Sequence, residues 1–122
     1  MILCIETATG VCSAALCSDK ATIHLREAAE GRSHASQLLA EASVSTQELD
    51  AVAVSKGPGS YTGLRIGVSV AKGISYGAGI PLIGINTMTA MYYGFLAKHR
   101  VPPGETLLCP MIDARRMEVY NA

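Results

Sequence analysis

A chain of 122 residues, 49% hydrophobic and 16% charged, is sized for one globular domain with its own core, which excludes a disordered or low-complexity polymer. Ten basic and ten acidic residues cancel, unevenly only to the extent that residues 1–61 hold 4 basic and 7 acidic groups and the remainder 6 and 3. A domain gripping a nucleic-acid backbone alone would carry a basic excess, and no apolar run approaches the roughly 20 residues of a membrane span, so the expected setting is cytoplasmic with no membrane partner.

The N-terminal run ILCIETA (2–8) has the pattern of a short buried strand, with no basic n-region to make it a signal peptide. Thr9-Gly10 is a turn into a second strand, VCSAALC (11–17), and Asp19-Lys20 is a turn into a third, ATIHLRE (21–27). Three strands at hairpin spacing predict an antiparallel meander. SHASQLLAEAS (33–43) reads as a short helix with Ser33 as N-cap. DAVAVS (50–55) is a continuous apolar strand of the kind buried on both faces in parallel sheets. A glycine-rich loop, KGPGS, leads into a helix over about 62–76; PLIGIN (81–86) is a further strand, Thr87 an N-cap, and MTAMYYGFLAKH (88–99) a helix. After Pro102-Pro103-Gly104 come TLLCPMI (106–112), a turn DARR (113–116) and MEVYNA (117–122). The β-β-β-α-β-α-β-α order predicts an α/β fold, a mixed five-stranded sheet with helices on both faces.

Few residues carry obvious chemistry. Cys4, Cys12, Cys17 and Cys109 form no C-x-x-C pair and read as reduced thiols acting as small apolar residues. His24, His34 and His99 are scattered, with no metal-ligand spacing. Ser60 lacks the G-x-S-x-G setting of a hydrolase nucleophile. Glu6 and Asp113 invite reading as a carboxylate pair, but edge or turn charges account for them as well. Arg115-Arg116 fits a solvated hairpin turn better than a phosphate contact.

The loop stands where phosphate loops stand, after a buried strand and at a helix N-terminus. Its spelling differs: Leu64 and Arg65 follow Gly63 where a Walker A loop needs Lys and Ser/Thr, and Thr62 occupies the place of a third dinucleotide-type glycine. A structural turn is the better reading. In the helix beyond it, Gly63, Gly67, Ala71 and Ser75 recur every four residues as a ridge of small side chains. Ile66, Val70 and Ile74 flank the ridge on one side, Leu64 and Val68 on the other, while Arg65, Ser69, Lys72 and Tyr76 form a polar face. Periodicity leaves two readings open: the ridge docks on the chain's own sheet, or it meets a second surface. The second predicts that Gly67→Leu breaks association and leaves the monomer folded.

Three segments, KGPGSYTGLRIGVSVAKG, ILCIETAT and IDARRMEVY, in this relative placing along essentially the whole chain, resemble the TsaB (YeaZ) family. The resemblance implies a lobe of the sugar kinase/Hsp70/actin-like (ribonuclease H-like) fold. Residues 1–102 are then an N-terminal lobe and 103–122 the opening hairpin of a second lobe that is otherwise missing. It also implies a noncatalytic scaffold in the synthesis of threonylcarbamoyladenosine in tRNA. Such a scaffold forms a homodimer when alone, pairs with the catalytic subunit TsaD through N-lobe helices, and is joined by the ATPase TsaE. ATP/ADP and metal belong to the partner subunits, none is expected for this subunit alone, and tRNA is reached only through the complex. Carried onto this chain, the interface falls on Ser33, His34, Leu38, Gly63, Leu64, Gly67, Val68, Ala71 and Ser75. Glu6, Thr7 and Thr9 mark a vestigial nucleotide-binding turn, with Glu6 where an Asp is usual. A nucleotide-binding phosphotransferase of the same superfamily is the alternative, resting on that turn and the glycine loop. A glycopeptidase, the third reading, finds no zinc ligands or activated nucleophile.

Overall fold

A computed structural model describes residues 1–19, 21–28, 39–40, 42–102, 104 and 106–122. Strands β1 (Ile2–Glu6), β2 (Cys12–Cys17) and β3 (Thr22–Ala28) form the expected antiparallel meander. Strand β4 (Ala51–Ser55) pairs parallel with β1, and β5 (Leu82–Ile85) pairs parallel with β4. The resulting five-stranded mixed sheet has the order β3-β2-β1-β4-β5. Two helices follow β4 and β5: α1 (Tyr61–Ala78) and α2 (Thr87–Lys98). A separate hairpin, β6 (Met111–Arg115) and β7 (Glu118–Asn121), forms a two-stranded sheet.

Alternation along the strands sorts the sheet into two unlike faces. On one, Leu16, Leu3 and Val52 stand in register across three strands, and Ala14, Ile5 and Val54 form the next row. These rows make the core with Leu39, Leu49 and Ala71, while Val68, Ile74 and Ile80 pack on its margin. The other face carries Ala15, Cys4 and Ala53 in one row, small side chains bordering an open groove.

Several boundaries differ from expectation, each for a local reason. Strand β1 stops at Glu6, because the Ala8 amide turns back to donate to Glu6 Oε1 at 2.6 Å. Helix α1 starts at Tyr61, with Ser60 Oγ accepting from the Gly63 amide, and ends on Gly79 in the left-handed region at φ 66°. The cap of α2 is Asn86, not Thr87: its Oδ1 accepts from the amides of Met88 and Thr89 at 2.8 and 3.3 Å, while Thr87 is buried as the first helical residue. Asn86→Ala should therefore cost about 0.5–2 kcal/mol by denaturant unfolding, typical of a lost N-cap. In the hairpin, β6 runs through Asp113 to Arg115, and the turn lies at Arg116-Met117. Arg115, Arg116 and Met117 all have positive φ, beside a register shift between Asp113 and Arg115. Of the helix expected over 33–43, Leu39 and Ala40 are helical and Leu39 joins the core. The rest of it, apart from a turn at 42–43, lies outside the described residues, as does its cap at Ser33.

Candidate functional site: the glycine loop and the two sides of α1

The segment between β4 and α1 is built for close approach to the end of β1. Gly57 (φ 108°) precedes a cis peptide to Pro58, and the Ser60 amide donates to the Ala8 carbonyl at 2.6 Å. A Cβ on Gly59 would lie 2.4 Å from the Ala8 oxygen, and one on Gly63 2.0 Å from the Thr7 oxygen. One turn further, a Cβ on Gly67 would lie 2.2 Å from Thr7 Oγ1. Ala71 then enters the core, fully buried. The backbone of α1 thus rests directly on the C-terminal end of β1, and the loop is a docking turn.

This arrangement favours the first of the two readings of the small-residue ridge, docking on the chain's own sheet. Gly67 and Ala71 are buried against the chain's own sheet, and Gly63, half-buried, lies against the Thr7 carbonyl. Leu64 and Val68 are half-buried beside them, and Ser75 is half-buried with its hydroxyl donating to the Ile80 carbonyl at 2.5 Å. Ser33, His34 and Leu38 lie outside the described residues. The apolar band spans about half the helix circumference, and its two flanks face different directions. Ile66 and Val70 point outward, 49% and 38% exposed, and a Cβ on Gly73 or Gly77 would meet nothing within 4 Å. Positions 66, 70, 73 and 77 follow the 4-3-4 spacing of a single helix stripe. Ile66 and Val70 were visible in the sequence as a flank; which flank faced away was not.

Glu6, Thr7 and Thr9, read together in the sequence as a nucleotide-binding turn, have separate surroundings. Glu6 Oε1 accepts from the Ala8 amide and Oε2 from the Ser55 hydroxyl. The carboxylate lines the groove on the open face of the sheet beside Cys4 and Ser55. Thr7 is buried, with its hydroxyl making no hydrogen bond among the described residues. Thr9 is exposed, its hydroxyl donating to the Val11 carbonyl at 3.3 Å. It borders a separate cavity of about 660 Å³ between the N-terminus of α1 and the hairpin, with Ser60, Asp113 and Arg115 around the rim. Glu6 and Asp113 therefore line different hollows, and Asp113 Oδ1 accepts from the Arg115 amide at 2.7 Å as a turn charge. Among the described residues no three His, Cys, Asp or Glu side chains gather as metal ligands, and no helix is long and apolar enough to cross a membrane.

An antiparallel meander continued by parallel β-α-β units, with the crossover helix on the end of the first strand, defines the class: a lobe of the actin-like fold. Residues 32–122 match the family model described as "TsaD: tRNA N6-adenosine threonylcarbamoyltransferase". The "tRNA threonylcarbamoyladenosine biosynthesis protein TsaB" of Escherichia coli strain K12 is 38% identical, covering 99% of this chain and 53% of that protein. The Haemophilus influenzae protein of the same name is 35% identical, covering 98% and 51%. The solved structure "YeaZ from Pseudomonas aeruginosa" superposes with a TM-score of 0.80 at 28% identity, covering 98% of this chain and 57% of that one. The chain belongs to this family, on its TsaB (YeaZ) branch. It spans about half the length of these relatives.

Proposed function

We propose that this chain acts as a noncatalytic scaffold in threonylcarbamoyladenosine synthesis on tRNA, using the outward face of α1 to hold a TsaD homologue. The observation that carries the reading is the stripe of Ile66, Val70, Gly73 and Gly77: apolar or bare, open to solvent, on a helix whose inner face is already satisfied. Bare glycines let a partner helix approach the backbone closely, and the two branched side chains supply apolar area. The same stripe would serve a homodimer when the subunit is alone, with TsaE joining the assembled pair. The relatives' names support the pathway. Nucleotide, metal and tRNA chemistry fall to the partner subunits in this reading, and work in the cytoplasm goes with it.

The test is co-purification with the TsaD homologue of the same cell. Ile66→Asp combined with Val70→Asp puts two charges into the stripe. It should weaken capture at least about tenfold, the scale of losing a contact worth roughly 1.4 kcal/mol or more. Thermal melting of the variant should stay near that of the parent, since both sites are exposed. Undiminished capture by a folded double variant would defeat the proposal.

One observation favours a second reading, a nucleotide-binding phosphotransferase. The cavity of about 660 Å³ opens at the N-terminus of α1 with Thr9, Ser60 and Arg115 at its rim, and helix N-termini attract phosphate. Calorimetry with ATP and magnesium separates the two: micromolar binding by the isolated protein would favour the enzyme.

A further inference from the structure

The face of the sheet opposite α1 brings together two thiols that no sequence motif connects. Cys4 lies opposite Ala15 across the β1–β2 pair, and Cys17 opposite Ile2. The two cysteines are therefore diagonal neighbours on one face, where cross-strand side chains meet. Their sulfurs stand 3.9 Å apart. Neither is bonded to another cysteine, and both are only partly buried. The side chains next to Cys4 in its row are Ala15 and Ala53, which leave the sulfur room to turn. Cys4 also lies in the wall of the open groove, which leaves its sulfur free to swing toward Cys17.

The backbone at Cys17 is placed to yield. Cys17 is the last residue of β2, and the pairing with β3 shifts register between Leu16 and Cys17. A disulfide needs its sulfurs at about 2.05 Å and its Cα atoms within about 7 Å. Diagonal neighbours start with Cα atoms about 7–8 Å apart, so closing the sulfurs from 3.9 Å calls for a backbone shift, which the strand end at Cys17 is placed to supply. The remaining cysteines are not so placed. By alternation Cys12 falls on the core face of β2 with Ala14 and Leu16, and Cys109 is exposed on the segment before β6.

We propose that Cys4 and Cys17 form a reversible dithiol/disulfide pair, oxidised by exchange with a small disulfide such as oxidised glutathione. The Cys17 thiolate attacks one sulfur of the reagent, forming a mixed disulfide and releasing one glutathione thiolate, which takes up a proton. Cys4 then attacks the Cys17 sulfur of the mixed disulfide, and the second glutathione leaves as its thiol with the proton from Cys4. Two protein thiols and one oxidised glutathione become one protein disulfide and two reduced glutathiones, two electrons passing from protein to reagent. The order of attack follows from environment. Burial, reinforced by the neighbouring Cys17, pushes the Cys4 thiol up to about 12, so Cys4 is the poorer first nucleophile and the resolving partner.

Equilibration of the native protein against graded ratios of oxidised to reduced glutathione, followed by alkylation, tests this. Cleavage after Glu6 by a glutamate-specific protease separates Cys4 from Cys12 and Cys17. The expected result is loss of two of the four free thiols, with peptide 1–6 held by disulfide to the peptide carrying Cys17, and recovery of all four on reduction. Cys12→Ser should keep the cross-link and Cys17→Ser should abolish it, leaving Cys4 free. Four free thiols at high oxidant, a mixed glutathione adduct that never resolves, or a cross-link that survives Cys17→Ser would each overturn the proposal. A denatured sample run in parallel shows whether the folded strand pair, rather than chance encounter, selects the two partners.

Discussion

Gly63→Ala and Gly67→Leu are expected to destabilise the folded chain rather than merely loosen its association. At Gly63 the added methyl would sit 2.0 Å from a backbone oxygen, that of Thr7, which cannot rotate away as a side chain could. At Gly67 the first carbon alone would lie 2.2 Å from Thr7 Oγ1 and 3.2 Å from two other Thr7 carbons, and Thr7 is only 6% exposed. Overpacking of this kind costs typically about 1–3 kcal/mol, against a gain of up to about 1 kcal/mol from replacing a helical glycine. A net loss of about 1–2 kcal/mol for Gly63→Ala, and more for the bulkier leucine, would lower the melting temperature by roughly 3–5 °C per kcal/mol in a domain of this size. Gly73→Ala is the matched control. It lies on the same helix with nothing within 4 Å of its added carbon, so it should raise stability by up to about 1 kcal/mol. Gly67→Leu melting with the parent while losing its partner would return the ridge to the outer surface.

Leu3→Ala should be the costliest truncation in the sheet. Leu3 sits on the central strand, in register with Leu16 on one side and Val52 on the other, and all three are completely buried. Removing it deletes the middle of a three-strand row and leaves a cavity that fixed strands cannot collapse into. Such substitutions cost about 2–5 kcal/mol, a large part of the stability of a domain this small. Urea unfolding would measure it as a lower midpoint at unchanged slope. A loss under about 1 kcal/mol would mean that the core rows are packed far more loosely than their burial indicates.

The strands and their order were legible because alternation and turn residues are local signals. Thr9-Gly10 and the run AVAVS needed no tertiary information, and the meander followed from spacing alone. What a helical period does not contain is the identity of the layer each face meets. Gly63, Gly67 and Ala71 announced a close approach, and the approach is real, but its object is Thr7 of the same chain. The period alone left open whether the ridge meets the sheet or a second surface, and the neighbouring flank of Ile66 and Val70 is exposed. Asn86 and Thr87 are both capping residues at adjacent positions, so only the hydrogen bonds of Asn86 Oδ1 decide between them. The hairpin turn was placed about two residues early because three non-glycine residues in a row take positive φ, a conformation that sequence rules assign to Gly, Asn or Asp. The pairing of Cys4 with Cys17 depends on strand register, which no spacing between the two cysteines encodes.

At Gly63 and Gly67 the first turns of α1 approach Thr7 without a spacer, so their distance from the end of β1 is fixed by the main chain, while Val68, Ala71 and Ile74 set the rest of the helix against the core. A helix held off a sheet by large residues tilts or slides when those residues change size. Here the contact at Thr7 has no side-chain spacer on the helix side at Gly63 or Gly67. Substitutions at Leu16 and Ala14, on the strand beyond β1, therefore reach the start of α1 only through Thr7. The residues that cannot drift are the ones with no side chain at all.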